Sequence, residues 1–172
     1  MVSESHVFNL MKQYYDGGGI AQLQFDSFNN FLINGLSSII NEEPTITVEI
    51  SKNRHYNVHF TDVTVDKPYL IEQDRTPSPI TPAACRLRDL TYDAPVCVNI
   101  REELIENGEI IETKSHVKIP IARIPIMVRS IKCALHGKSE SSIIKSGECI
   151  RDPGGYFIIK GKERVLITQE RA

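Results

Sequence analysis

Three cations stand close together near the end of the chain, Lys160, Lys162 and Arg164, between two apolar runs, the first opened by Pro153-Gly154-Gly155. An apolar run, a basic glycine-containing turn and a second apolar run read as a β-hairpin. Pairing Tyr156 with Ile167, Phe157 with Leu166 and Ile158 with Val165 leaves residues 160–163 as the loop. Lys160 and Lys162 then lie at its tip and Arg164 at its foot. Neither run alternates with polar residues, so both faces of the hairpin are expected to be covered. Cations held on a rigid stem suit an anionic partner, phosphate being the commonest. The plainer reading is a solvated turn whose lysines serve solubility.

Other residue patterns carry less chemistry. His55 and His59 lie on an expected strand, where four residues span about 13 Å, too far for one shared ion. Cys133 and His136 have the spacing of half a zinc site, but no second half lies nearby in the sequence. Glu102, Glu103, Glu106, Glu109 and Glu112 crowd around Asn107-Gly108 without interleaved His or Asp, which reads as a solvated face rather than acid/base machinery. No Ser or Cys stands on an identifiable elbow with a matching base. Gly17-Gly18-Gly19 follows an expected helix rather than a strand, so it is not a phosphate-cradling loop.

The chain of 172 residues is 41% hydrophobic and 24% charged, enough for a real core and ordinary for a folded protein. Its net charge of −2 conceals an asymmetry: residues 121–172 carry 10 basic and 5 acidic side chains, the remainder 10 and 17. One end is therefore suited to anions. Cysteines 85, 97, 133 and 149 show no C-x-x-C pairing and no apolar leader precedes them, so reduced thiols in an intracellular protein are expected. No apolar run approaches the ~18 residues that span a bilayer, and no membrane association is expected.

These residues must be positioned by elements that the pattern also predicts. Ser3 or Ser5 caps a helix with Val7, Leu10, Met11 and Tyr14 on one buried stripe, ended by the three glycines. Asp26 caps a second helix, with Phe28, Phe31, Leu32, Leu36 and Ile39 on its core face. Residues 45–50 and 56–65 alternate as strands, with a change of phase between Phe60 and Val63 that predicts a bulge. Residues 68–82 read as a long loop, and Thr81-Pro82 as the cap and first turn of a brief helix. On that helix Arg86 and Arg88 lie about 200° apart, so one faces the protein and the other is free. Asn107-Gly108 predicts a tight primed turn joining two long strands. Their apolar residues share one face, while Glu103 opposite Glu112 and Arg101 opposite Lys114 mark the other as exposed. Residues 139–147 read as a short helix-like connector closed by Gly147.

With these residues laid out, the chain resembles the N-terminal part of the second-largest, β-like subunit of multisubunit DNA-directed RNA polymerases of the eukaryotic, archaeal and large-DNA-virus branch. The resemblance rests on four stretches in the family's order. They are Gln24-Phe25-Asp26-Ser27-Phe28-Asn29-Asn30-Phe31, Cys85-Arg86-Leu87-Arg88-Asp89-Leu90-Thr91-Tyr92, Ile124-Pro125-Ile126-Met127-Val128-Arg129-Ser130 and residues 154–171. It implies an α+β fold, with two N-terminal helices and mixed or antiparallel β-hairpins, in which residues 1–172 form the first segment of the protrusion domain. The lobe and the second protrusion segment would be absent, which makes the domain incomplete and the chain a fragment, a split gene product or a truncated frame. The family's protrusion walls the nucleic-acid cleft. Arg164, Lys162, Lys160 and Arg129 are therefore expected to contact DNA or the RNA–DNA hybrid, Arg129 equally as support for the hairpin. The alternative role is a module that docks a general initiation factor or neighbouring subunits. The resemblance assigns this chain no catalytic residue and no cofactor, the magnesium of the assembled polymerase being bound elsewhere. Its partners would be nucleic acid, the largest subunit and the rest of the second-largest subunit. Its compartment would be the nucleus in a cell, or the host cytoplasm or virion for a virus.

Overall fold

A computed structural model describes residues 4–16, 19–167 and 169. Ser3, Gly17, Gly18, Thr168 and Arg171, invoked above, lie outside the described residues. The α+β class is borne out: among the described residues five short α-helices accompany antiparallel strands. The chain divides into two compact units, one of residues 1–29, 67–93 and 125–172, the other of residues 30–66 and 94–124.

The second unit is built on a four-stranded sheet in the order β1-β2-β5-β6, from β1 (Thr45–Ser51), β2 (Arg54–Val65), β5 (Asp93–Glu106) and β6 (Glu109–Pro125). Alternating β-branched residues favour these strands. The expected bulge is present where the β2–β5 register slips between Phe60 and Asp62, and Thr61 turns its hydroxyl to the Asn99 carbonyl at 3.2 Å. The Asn107-Gly108 turn is also as expected, with both residues in the left-handed region (φ 53° and 85°) that a primed hairpin requires. Leu32, Val65, Val96, Cys97 and Val98 are buried here.

The apolar face expected along β6 is only partly covered, since Ile111 and Val117 are exposed and Ile119 is half-buried. The acidic face differs as well. Like charges do not oppose one another unrelieved, because Arg101 pairs with Glu103 at 3.1 Å and Lys114 with Glu112 at 2.9 Å along their own strands. His59, carried alongside by β2, reaches Glu103 at 3.1 Å and Thr45 at 2.8 Å, so Glu103 is nearly covered rather than solvated.

In the first unit, α1 (Glu4–Asp16) is helical as expected, but Val7, Leu10, Met11 and Tyr14 are exposed, not a buried stripe. α2 (Gln22–Asn30) begins before Asp26, which lies inside it and accepts from the Gln22 side-chain amide at 2.7 Å instead of capping. In the second unit a π-helical turn, Phe31–Gly35, is followed by α3 (Leu36–Glu42). The long loop contains a small ladder, β3 (Tyr69–Ile71) on β4 (Pro77–Pro79). Asp74 closes it by accepting from the Thr76 amide at 3.0 Å and hydroxyl at 2.6 Å. α4 (Pro82–Leu87) has its expected cap, the Thr81 hydroxyl accepting from the Ala84 amide at 3.3 Å. α5 (Glu140–Lys145) ends at Gly147, in the left-handed region.

The core of this unit gathers Cys85, Tyr92, Ile126, Val128, Cys133 and Ile158. Three extended pieces are knit by backbone bonds: the Tyr92 amide to Ile158, the Ile126 amide to Tyr92 and the Val128 amide to Tyr156, all at 2.8–2.9 Å. The Tyr92 hydroxyl accepts from the Ala134 amide at 2.8 Å and so ties the turns after residue 130 to the same core.

Candidate nucleic-acid interface

The basic hairpin forms from β7 (Phe157–Ile159) and β8 (Lys162–Arg164), but two residues tighter than the apolar pattern predicts. Phe157 stands opposite Arg164, Ile158 opposite Glu163 and Ile159 opposite Lys162. The loop is Lys160-Gly161 alone, with φ of 49° and 74°, the primed turn whose twist matches paired strands. This turn is pinned on the chain just after α4. The Gly161 amide donates to the Leu90 carbonyl at 2.9 Å and the Lys160 amide to the Thr91 hydroxyl at 3.1 Å. A Cβ on Gly161 would come within 2.5 Å of the Asp89 carboxylate, so a side chain is not accommodated there. A slip of two residues keeps each side chain on its expected face. It draws Lys162 into the strand, however, and leaves Val165, Leu166 and Ile167 beyond the ladder and exposed. The second arm is therefore not covered on both faces. The first is, since Ile158 is fully buried and Phe157 meets Phe28 edge-on, ring centres 5.3 Å apart.

Alternation along β8 separates its charges. Glu163 faces α4, and Lys162 and Arg164 project on the opposite side. Both are exposed, as is Lys160 at the tip. Among the described residues none of these three side chains has a hydrogen-bonding or ionic partner. Glu163, the acid that interrupts them, is bound by Arg86, whose Nε donates to it at 2.8 Å.

Arg86 is the hub of the support. Its Nη1 donates to Glu148 at 3.0 Å and its Nη2 to the Tyr156 hydroxyl at 2.6 Å, and Nη2 also lies 3.9 Å from Asp152. The Tyr156 hydroxyl donates onward to Asp152 at 2.5 Å, and Asp152 accepts from the Gly154 amide at 2.9 Å. Glu148, almost wholly buried, also accepts from the Ala83 amide in the first turn of α4. Burial alone would lower the Arg86 pKa, but the Glu148 and Glu163 carboxylates outweigh it and hold the pKa above its ordinary value. Burial, aided by the Asp152 carboxylate, likewise pushes the Tyr156 phenol up. The expectation that one of Arg86 and Arg88 turns inward is met by Arg86. Arg88 is not free but pairs with Glu72 at 3.2 Å. The sequence reading missed Arg86 as an organiser, and the available signal was the single acid, Glu163, inside a basic loop.

Arg129 is held by backbone contacts of its own. It holds a left-handed backbone (φ 69°), and its Nη2 donates to the Cys149 and Ile150 carbonyls at 3.0 and 2.9 Å. Its Nε is buried without a partner among the described residues. The paired histidines do not converge: His59 is held by Thr45 and Glu103. Among the described residues no group of three or more His, Cys, Asp or Glu side chains is arranged to hold a metal ion, and no helix is long and apolar enough to cross a membrane.

Comparison with known proteins carries the same stretches into a family. A family model described as RNA polymerase beta subunit matches residues 19–172. The chain is 33% identical to DNA-directed RNA polymerase II subunit 2 of Arabidopsis thaliana, over 99% of its own length and 16% of that protein. It is 40% identical to DNA-directed RNA polymerase subunit Rpo2N of Methanocaldococcus jannaschii, over 94% of its length and 32% of that protein. It is 36% identical to a probable DNA-directed RNA polymerase II subunit RPB2 homolog of Invertebrate iridescent virus 6, over 99% of its length. The chain thus spans between a sixth and a third of these relatives. Within the matched residues, 85–92 and 154–164 are the parts that the Arg86 hub and the Lys160-Gly161 turn lock together. The chain belongs to the RNA polymerase beta-subunit family and corresponds to the N-terminal region of the second-largest polymerase subunit.

Proposed function

We propose that the chain forms part of a wall of the nucleic-acid path in a DNA-directed RNA polymerase. In this reading Lys160, Lys162 and Arg164 lie against backbone phosphates of DNA or the RNA–DNA hybrid. The observation that carries it is the division of charge on β8: Arg86 draws Glu163 aside and leaves the cations unpaired on the exposed side. Phosphate contacts of this kind hold without reading sequence. Arg129 acts as support, bracing the segment before the hairpin through two carbonyls. The chain works with the largest subunit and the remainder of the second-largest subunit, and carries no catalytic step of its own. The magnesium of the reaction is held elsewhere in the assembly, and the compartment is that of the polymerase, nuclear in a cell and cytoplasmic or virion-borne for a virus.

The test is the lifetime of stalled elongation complexes of the assembled polymerase across a salt series. Lys160, Lys162 and Arg164 changed together to Ala should shorten it and flatten its dependence on log salt by about 0.7–0.9 for each phosphate no longer neutralised. An unchanged lifetime and slope would remove the phosphate reading. A second reading, docking of an initiation factor, is favoured by the exposed Val165-Leu166-Ile167 continuing from the hairpin. It requires Leu166→Glu to impair factor-dependent initiation and leave stalled complexes unaltered.

A further inference from the structure

A concavity of about 640 Å³ opens in the first unit, on a surface that the phosphate reading does not use. Its floor is apolar, formed by Ile20 and Phe25 from the start of the helical region, Leu135 from the turns after Arg129, and Ile143 and Ile150 around α5. Ile20 and Ile150 are exposed. Around the floor stand Arg129, His136, Lys138 and Arg151.

The rim charge is not cancelled. Lys138 and Arg151 are exposed and have no side-chain partner among the described residues. The Nη2 of Arg129 donates to two neutral carbonyls, which fix the guanidinium without removing its charge. The one carboxylate in the lining, Asp152, is held by the Gly154 amide and the Tyr156 hydroxyl and lies 3.9 Å from the Arg86 guanidinium, which offsets its charge. Successive turns hold the wall, the His136 amide donating to Cys133 at 3.1 Å and the Lys138 amide to Leu135 at 3.2 Å.

From this arrangement we infer a docking site for an acidic peptide segment of a partner protein, with one or two apolar side chains seated on the floor and carboxylates against Arg129, Lys138 and Arg151. The volume is that of sites that enclose a few side chains. Complementary charge selects the partner and speeds encounter, and the apolar anchor holds it. The aliphatic side chains of Ile20, Leu135, Ile143 and Ile150, beside Phe25 and Tyr15, suit Leu or Phe anchors.

The experiment is fluorescence polarisation on the 172-residue chain. The probe is a short labelled peptide with a Leu-x-x-Phe pair flanked by Glu and Asp, and the control is the same peptide with Gln and Asn. The acidic peptide should bind and the control should bind at least about tenfold more weakly. Lys138→Glu with Arg151→Glu should weaken the acidic peptide by a similar factor and strengthen a Lys-flanked version. Both residues are exposed and unpaired. If the reversed pair alters the circular dichroism, Lys138→Gln with Arg151→Gln carries the same expectation. Lys162→Ala with Arg164→Ala should leave peptide affinity within about twofold, separating this site from the hairpin. Equal binding of the two peptides, or indifference to the reversed charges, would overturn the inference. So would displacement of the peptide by a single-stranded RNA oligonucleotide whose own binding needs Lys138 and Arg151.

Discussion

Arg86 joins helix, loop and hairpin through one guanidinium, and its three directions of donation are a geometry an ammonium cannot copy. Arg86→Met leaves the nearly buried Glu148 carboxylate with only its backbone donor. It should destabilise the chain by about 2–3 kcal/mol in urea unfolding, with Arg86→Lys recovering less than half. Glycine is also needed nearby. Gly155, at φ 81°, would place a Cβ 2.8 Å from that of Ala21, so Gly155→Val should cost more than about 2 kcal/mol by the same measurement. The cause is a left-handed backbone against a helix start, a more specific constraint than the opening of a strand that the sequence indicates. Thiol reactivity separates the cysteines. Cys85, Cys97 and Cys133 are buried, and burial pushes the Cys85 thiol up to about 11, whereas Cys149 is exposed. Titration with a disulfide reagent at pH 8 should show one fast thiol, with the other three reacting only as the protein unfolds.

At the scale of elements, what was legible in the sequence was what local chemistry decides. Asn107-Gly108, Thr81-Pro82 and the phase change before Val63 each specify their own backbone, and each is found. Pairing and coverage were less legible. The apolar runs flanking Lys160-Gly161 allow two registers on the same faces, and contacts from residues 89–91 select the tighter one. Asp26 has the chemistry of a cap, yet the helix extends past it from residue 22. Glu102 shows how a face that reads as solvated becomes organised. The Tyr56 hydroxyl, and after it His116, hold its carboxyl below the usual carboxylate range. A pKa depressed by folding contributes stability above the unfolded value of about 4.3, and that contribution is lost as pH falls through the folded value. Glu102→Gln should therefore flatten the fall in Tm below about pH 5 in a calorimetric pH series and leave its slope at neutral pH unaltered.

For the whole molecule, the charge division between residues 1–120 and 121–172 was visible in composition, and the exposed cations of the hairpin fall in the basic part. Exposure was not visible. Alternation marks Ile46, Val48 and Ile50 as one side of a strand, and Val7, Leu10 and Met11 as one side of a helix, but not whether anything lies over them. All six are exposed, as are Val117 and Leu166. So much open apolar surface is characteristic of proteins that associate. The purified chain should bind an environment-sensitive hydrophobic dye in its native state and self-associate with rising concentration in sedimentation velocity. A dye-silent monomer would show that this surface is closed in solution.

The Arg86 hub also sets a timetable for synthesis. Glu148 follows Arg86 by 62 residues and Glu163 by 77, so at about 5–20 residues per second the guanidinium waits several seconds for its acids to emerge. Through that interval α4 lacks the carboxylate that binds its first turn, and the segment after it has no hairpin to receive. The arrival of the hairpin that carries the exposed cations closes the hub around a residue translated 77 residues earlier.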